Sequence, residues 1–168
     1  DEKSSELNKK INELIANGPK KSQKNTAMMA KASDLARKGS YEESLKILDE
    51  IAKDERFKVS ALQLKAKIYE MQNDFAKAEN FYKEISNLNA PDLPKPLGME
   101  MLGEFYQRNN KKEEALKAYN EALKILQDEK AKIRENSKMP PATFVLGNGA
   151  NQDVLETKLK EKIGELNS

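Results

Sequence analysis

Residues 62–82 read LQLKAKIYEMQNDFAKAENFY, and the spacing of small and turn-forming residues in this stretch occurs twice more in the chain. Each copy has a small residue, a glycine or asparagine seven positions later, and a second small residue five positions after that. The three sets are Ala32, Gly39 and Ser44; Ala66, Asn73 and Ala78; and Gly103, Asn110 and Ala115. The copies therefore begin 34 and 37 residues apart. A period of this length predicts an array of helical hairpins with one short insertion.

The middle member of each set, called here the corner residue, is predicted to end the first helix of its hairpin. Glycine, and after it asparagine, adopts the left-handed backbone conformation of a helix end at the lowest cost. A cap for the second helix follows at once in the sequence. Ser40 and Glu43 predict a capping box in the first copy, and Asp74 predicts a cap in the second.

The insertion lies in residues 89–96, which read NAPDLPKP. Three prolines forbid a continuing helix there, so the extra residues enlarge a loop and leave the helix faces in phase. The predicted divisions are an N-terminal helix at 1–17, a linker at 18–24, a three-repeat array at 25–133 (about 25–58, 59–95 and 96–133), an irregular segment at 134–152 and a C-terminal helix at 153–168.

Both terminal helices are predicted to be amphipathic. Their apolar stripes are Leu7, Ile11, Leu14 and Ile15 in the first, and Val154, Leu155, Leu159, Ile163 and Leu166 in the second. The C-terminal helix is most simply a solvating cap, as the end of a repeat array requires. The alternative is that one of these helices packs against another copy of the chain.

An apolar triplet, Phe144-Val145-Leu146, interrupts the polar segment 136–152. The simpler prediction is that the triplet covers the exposed face of the third hairpin. The alternative is that the segment folds back over the array and limits access to its binding groove.

The composition argues against several classes of function. The 30 basic and 28 acidic residues leave a net charge of +2 without a block of one sign, so nucleic acid is not an expected partner. The chain has no Cys, His or Trp, and we expect no metal, no cofactor and no enzymatic activity. The acidic pairs at 42–43 and 113–114 are explained as helix N-terminal charges. No apolar run approaches the roughly 20 residues needed to insert in a bilayer.

The pattern resembles the tetratricopeptide repeat. The matching residues are Leu102, Gly103, Tyr106, Asn110, Ala115, Tyr119 and Ala122 in the third copy, and Leu62, Ala66, Tyr69, Asn73, Phe75, Ala78 and Tyr82 in the second. The first copy departs from the family pattern, since Leu35 replaces the usual aromatic residue and Ser44 the usual alanine. The resemblance covers about residues 25 to 126.

The resemblance implies an all-α, right-handed superhelical solenoid of about three hairpins with flanking terminal helices. Members of this family usually bind a peptide or a partner helix on a concave face lined by the first helix of each hairpin. By family position this face would hold Met29, Ser33 and Ala36; Gln63, Lys67 and Glu70; and Leu97, Glu100, Glu104, Gln107 and Arg108.

The chaperone-binding branch of the family holds a partner's terminal carboxylate with basic and amide side chains. Here Met29, Ser33 and Gln63 occupy three of those positions, and only Lys67 suits an anion. Glutamates in the third copy would repel one. We therefore do not expect this mode of binding.

The predicted function is that of a non-catalytic scaffold or adaptor for a protein or peptide partner, with self-assembly through the terminal helices as the alternative. The lack of cysteine, the Lys- and Asn-rich composition and a start at Asp1 without Met are typical of a bacterial envelope protein whose signal or anchor is not included. In the envelope such arrays often assist the assembly or secretion of other proteins. The alternative location is the cytoplasm.

Overall fold

The computed structural model describes residues 2–17, 21–88, 90, 93–136, 145–146 and 150–168. These residues form eight helices and one pair of two-residue strands. The helices are α1 (Glu2–Asn17), α2 (Lys21–Arg37), α3 (Tyr41–Ile51), α4 (Glu55–Met71), α5 (Phe75–Asn87), α6 (Lys95–Arg108), α7 (Lys112–Asn136) and α8 (Gln152–Asn167). The expected all-α fold of helical hairpins is confirmed.

Two helix bounds and one pair of strands differ from the predicted divisions. Helix α2 already begins at Lys21, inside the stretch 18–24 taken as a linker, because Lys, Ser and Gln extend a helix readily once the proline at 19 is passed. Helix α7 runs on to Asn136. Inside the segment taken as irregular, β1 (Val145–Leu146) pairs with β2 (Ala150–Asn151) in antiparallel register.

The expectations for the apolar triplet fall outside what the structure describes. Phe144 is not among the described residues, and only the backbone of the next two residues is described. Covering of the third hairpin and occupation of the groove both stay predictions.

The chain divides into two compact units, unit 1 at residues 1–81 and unit 2 at residues 82–168. Unit 1 contains α1 to α4 and the first part of α5. Its core is built from Ala32, Ala36, Leu48, Ile51, Ala61 and Ile68. Unit 2 contains the rest of α5, then α6, α7, the strand pair and α8.

Each of the three hairpins turns on a left-handed corner residue, as the sequence predicts. The backbone angle φ is 81° at Gly39, 57° at Asn73 and 58° at Asn110. The two asparagines are the residues with positive φ other than glycine in the described part of the chain. This conformation lets a helix end and the chain reverse within a few residues.

The hydrogen bonds at the corners are the same in all three hairpins. In the second hairpin, the Asn73 N–H donates to the carbonyl of Glu70 at 3.0 Å, and the Asp74 N–H donates to the carbonyl of Tyr69 at 2.9 Å. The other two corners repeat these bonds at 3.1 and 2.9 Å. This pair of bonds is the Schellman motif, which satisfies the last carbonyls of the first helix.

One of the two predicted caps forms and the other does not. The carboxylate of Asp74 accepts a hydrogen bond from the Lys77 N–H at 3.2 Å, so the cap of α5 is confirmed. The capping box at Ser40 is wrong, since the Ser40 side chain makes no cap hydrogen bond. Its ψ angle is 60°, whereas a capping side chain reaches the helix from an extended backbone.

The small residues that define the repeat are buried where the two helices of a hairpin meet. Ala66, Ala78 and Ala115 have no exposed surface. In the first hairpin the hydroxyl of Ser44 donates to the carbonyl of Ala32 at 2.7 Å, so the serine fills an alanine position and satisfies its own polar group.

Gly103 shows how close this approach is in unit 2. A Cβ at this position would overlap the ring of Tyr119, and it would lie 3.0 Å from the ring carbon that bears the hydroxyl. Tyr119 is fully buried. The glycine on α6 therefore makes room for an aromatic ring on α7.

We predict that Gly103→Ala lowers the free energy of unfolding by about 1–3 kcal/mol, because the added methyl overpacks the α6–α7 contact. Gly164→Ala is the matched control, since a Cβ at this helical position meets nothing within 4 Å. The control should be neutral or stabilising by up to about 1 kcal/mol, as alanine favours a helix more than glycine does. Urea unfolding followed by far-UV circular dichroism measures both, and equal midpoints for the two variants would contradict the packing described here.

Candidate partner-binding surface

Unit 1 carries five of the predicted partner-binding residues, on α2 and α4. We call them the α2/α4 surface: Met29, Ser33, Gln63, Lys67 and Glu70. The side chain of Lys67 is exposed and the other four are partly exposed. Gln63, Lys67 and Glu70 follow at intervals of four and three positions and therefore share one side of α4.

The side of α4 next to this row is buried, with Leu62 and Ala66 almost without exposed surface. On α2 the same holds for Ala32 and Ala36, the second of which the family position had placed on the concave face. Ala36 is a core residue instead, because its small side chain lies in the apolar cluster of unit 1.

Met29 contributes to the core as well as to the surface. Its side chain is partly buried and packs against the apolar cluster of unit 1. The α2/α4 surface is therefore mainly polar.

A buried polar contact fixes α4 relative to α2. The amide of Asn25 donates to the carboxylate of Asp54 at 3.0 Å, and this carboxylate also accepts from the Arg56 N–H at 3.2 Å as the N-terminal cap of α4. Asn25 and Asp54 are both buried. Since a buried polar group must keep its partner, this contact holds the two helices in register.

Unit 2 carries the other five predicted residues, all on α6. They are Leu97, Glu100, Glu104, Gln107 and Arg108, called here the α6 surface. Leu97 is partly exposed. The remaining four side chains each have a partner inside unit 2.

The two glutamates of the α6 surface are bound by lysines of the C-terminal helix α8. The ammonium group of Lys158 lies 2.5 Å from a carboxylate oxygen of Glu100 and 3.6 Å from one of Glu104. Lys162 donates to Glu104 at 2.9 Å. Glu100 is only 5% exposed, so it does not face a partner while α8 is in place.

The other two polar residues of the α6 surface form hydrogen bonds with tyrosine side chains of unit 2. The hydroxyl of Tyr119 donates to the side-chain carbonyl of Gln107 at 2.8 Å. The guanidinium group of Arg108 donates to the hydroxyl of Tyr82 at 3.3 Å and lies 5.8 Å from the centre of its ring. Burial, followed by the negative charges of the nearby glutamates, raises the pKa of Tyr119, so its hydroxyl stays a neutral donor.

Helix α8 is also anchored to the far part of α7. Lys130 donates to Asp153 at 2.5 Å and to Glu156 at 2.7 Å, and Glu156 accepts a further bond from Lys160 at 2.7 Å. These hydrogen bonds from Lys130 and Lys160 lower the pKa of Glu156 to about 2. Burial raises the pKa of Glu104, but the ammonium groups of Lys162 and Lys158 outweigh it and hold that pKa below its usual value.

A cleft of about 420 Å³ opens on another part of unit 2. Its lining comes from the last turns of α5 and from α6 and α7, and it includes the side chains of Met99, Leu102 and Tyr106. None of the predicted partner-binding residues lines it. The cleft is therefore distinct from the α6 surface.

The family model of the tetratricopeptide repeat matches residues 59–92 and 99–128. These matches support a tetratricopeptide-repeat protein. Searches of curated proteins and of solved structures gave no significant match. The matched segments cover most of the α4–α5 and α6–α7 hairpins and leave out the first turns of α4 and α6 and the last two turns of α7. The α2–α3 hairpin lies outside them, but it shares their corner geometry and their buried small residues.

Tetratricopeptide repeats are in general modules for protein–protein interaction and not catalysts. Among the residues that the structure describes, no group of three acidic side chains is arranged to hold a metal ion. Within the same residues, no helix combines the length and the apolar character needed to cross a membrane.

Sequence reasoning missed the role of Lys158 and Lys162. It treated α8 as a cap on the strength of its apolar stripe and assigned Glu100 and Glu104 to a partner. The signal that could have found the pairing is a matched spacing, since both the lysines and the glutamates are four positions apart and carry opposite charge. Two such pairs meet when their helices lie side by side.

We predict that the stability of unit 2 falls in acid because of the carboxylates that hold α8. A carboxylate whose pKa is lowered by folding stabilises the folded state above its unfolded pKa, here 4.5, and loses this contribution as the pH falls toward the folded value, about 2 for Glu156. The urea midpoint measured by circular dichroism should therefore decrease between about pH 4.5 and 2.

Glu156→Gln should reduce this fall of the urea midpoint in acid. It should also lower the free energy of unfolding by about 1 kcal/mol at neutral pH. Glu161→Gln, at an exposed position of the same helix, should keep the profile of the unmodified chain. Identical acid profiles for the unmodified chain and Glu156→Gln would show that the α7–α8 ion pairs do not hold α8.

Proposed function

We propose that this chain is a non-catalytic scaffold that binds a peptide or a helix of a partner protein on the first helices of its repeats. The observation that carries the proposal is the row of accessible polar residues on α4 beside a buried apolar row. Lys67 is exposed and the core of unit 1 does not need its charge, so this residue suits a contact outside the chain. The tetratricopeptide matches support the same role.

The chemistry of the α2/α4 surface favours a polar ligand. Ser33 and Gln63 can donate and accept hydrogen bonds, as the backbone of an extended peptide requires. Lys67 adds one exposed positive charge and suits an acidic side chain of the ligand. A terminal carboxylate clamp is not part of the proposal, because Lys67 is the one basic residue of this surface.

Lys67→Glu is expected to weaken binding of the native partner about ten-fold, or about 1.4 kcal/mol, because it places a negative charge opposite the acidic group of the ligand. The partner is first identified with a photo-crosslinking amino acid at position 67 and then measured by isothermal titration with purified protein. Lys124→Glu, at an exposed position of α7, is the matched control and should leave the affinity unchanged. A partner that is crosslinked equally well from position 124, or that binds Lys67→Glu with full affinity, would refute the α2/α4 assignment.

A second candidate function is self-assembly through the terminal helices. It is favoured by two exposed apolar side chains, Leu7 on α1 (46% exposed) and Val154 on α8 (65% exposed). A single copy gains nothing from leaving these side chains in water, whereas a contact between copies would bury them.

Light scattering over a range of concentrations decides between the two functions. Self-assembly requires an oligomer that Leu7→Lys or Val154→Lys dissociates into monomers. A chain that is still a monomer at the highest concentration would reject self-assembly, and the scaffold function would then be the remaining candidate.

The proposal extends to a place in the bacterial envelope, where the chain would assist the assembly or secretion of other proteins, with the cytoplasm as the alternative. Its support is compositional, since the chain combines many lysines and asparagines with no cysteine. The sequence encoded before Asp1 tests it, because a signal or anchor would appear there as an apolar segment.

A further inference from the structure

The face that α8 covers has a defined chemical pattern. Helix α8 presents Leu155, Lys158, Leu159 and Lys162 to it, at positions i, i+3, i+4 and i+7 of a helix. Leu155 and Leu159 are buried, and the two lysines pair with glutamates of α6. The face thus accepts two leucines beside two ammonium groups.

The pairing also fixes the direction of the bound helix. Lys158 pairs with Glu100, and Lys162, four positions later, pairs with Glu104, four positions later on α6. The bound helix therefore runs in the same direction as α6. The ring of Tyr119 completes the site, since the Lys162 ammonium lies 5.5 Å from its centre.

This chemistry exceeds what a cap needs. A cap has to exclude water from apolar side chains, and leucines alone would do so. Burying the carboxylate of Glu100 costs desolvation, which an ion pair roughly offsets, so the glutamates add little stability. They add selectivity, because a helix without the two lysines would leave a buried charge unpaired.

The hold of α8 on unit 2 combines few apolar contacts with ion pairs, including those of Lys130 with Asp153 and Glu156. Leu155 and Leu159 are the two apolar side chains of the helix that are buried, whereas Ile163 and Leu166 are partly exposed and Val154 is exposed. The two helices of the α6–α7 hairpin contact each other directly, through Gly103 under the ring of Tyr119, so release of α8 would leave this contact in place. A ligand that competes with an intramolecular occupant binds with an apparent affinity reduced by the occupied fraction.

We propose that the face formed by Glu100, Glu104, Tyr119 and the α7 surface under α8 is a receptor for a partner helix with the pattern Leu-x-x-Lys-Leu-x-x-Lys, and that α8 occupies this receptor until such a helix displaces it. The inference rests on the proposed function in treating the first-helix side of the repeats as a binding surface. It names the partner's chemistry and the regulation of the third repeat.

The test uses the full chain and a fluorescently labelled peptide of residues 152–168 as the probe. The variant Lys158→Glu/Lys162→Glu places like charges against Glu100 and Glu104, which releases the chain's own α8 and opens the receptor. Fluorescence anisotropy should show at least ten-fold tighter binding of the peptide to this variant than to the unmodified chain. Glu161→Lys/Glu165→Lys, which changes two exposed charges of the same helix, is the matched control and should bind the peptide as weakly as the unmodified chain.

A reversed pair shows whether charge directs the recognition. The chain with Glu100→Lys/Glu104→Lys should bind a peptide that carries Lys158→Glu/Lys162→Glu and reject the original peptide. If this chain does not fold, as circular dichroism would show, peptide binding to the unmodified chain and to Lys158→Glu/Lys162→Glu still decides.

Equal affinity of the original peptide for the unmodified chain and for Lys158→Glu/Lys162→Glu would overturn the proposal. A dimer of the unmodified chain that the peptide dissociates would also overturn it, because the receptor would then serve α8 of a second copy. The Lys67→Glu chain should bind the peptide like the unmodified chain, so a failure of the α2/α4 surface and a failure of this receptor give different results.

Discussion

The contact between the two helices of each hairpin depends on side chains too small to separate them. In unit 2 this contact is Gly103 under the ring of Tyr119, where even one methyl group has no room. The ring can then reach Gln107 with its hydroxyl and approach Lys162 with its face. A steric constraint at one glycine thus places a tyrosine that takes part in holding both α6 and α8. In unit 1 the same constraint is met by Ser44, whose hydroxyl bonds to the helix that it touches.

The charged residues of unit 2 have a different role from this packing. Exposed ion pairs add little to stability, and a buried pair seldom repays its desolvation. The lysines of α8 and the glutamates of α6 are therefore better understood as determinants of which helix lies on the third repeat and in which direction. The leucines provide the affinity, and the charged residues provide the selectivity for one kind of helix. This division of roles separates a surface that binds one kind of helix from one that binds any apolar helix.

The parts of the fold that depend on local sequence were predictable. The corner residues follow from the backbone preference of glycine and asparagine, and the small residues follow from their period, so the sequence alone places three hairpins. The Ser40 cap failed because the backbone of Ser40 is not extended, with a ψ angle of 60°, and local pairing rules do not consider this angle. The start of α2 was predicted wrongly because the glycine and proline at 18–19 indicate a break between helices but not its length.

The candidate site was less predictable, for a physical reason. Accessibility of a first-helix residue depends on what packs over it from elsewhere in the chain, and no local pattern states this. The α2/α4 residues stay accessible, whereas Glu100 is covered by a helix that lies some fifty positions later in the sequence. Periodicity identifies the side of the helix on which a residue lies. It does not show which other segment of the same chain will occupy that side.

The residue that follows each corner residue limits how this chain can change in length. Ser40 donates its N–H to the end of α2 and accepts, through its carbonyl, the first bond of α3, and Asp74 and Lys111 serve both helices in the same way. An added residue at a corner would have to break one of these two bonds. The repeat is three residues longer in the connection between the second and third hairpins. The turns within the hairpins therefore have a fixed length, and so does the joint between the first and second hairpins, where Asp54 bonds to the end of α3 and to the start of α4.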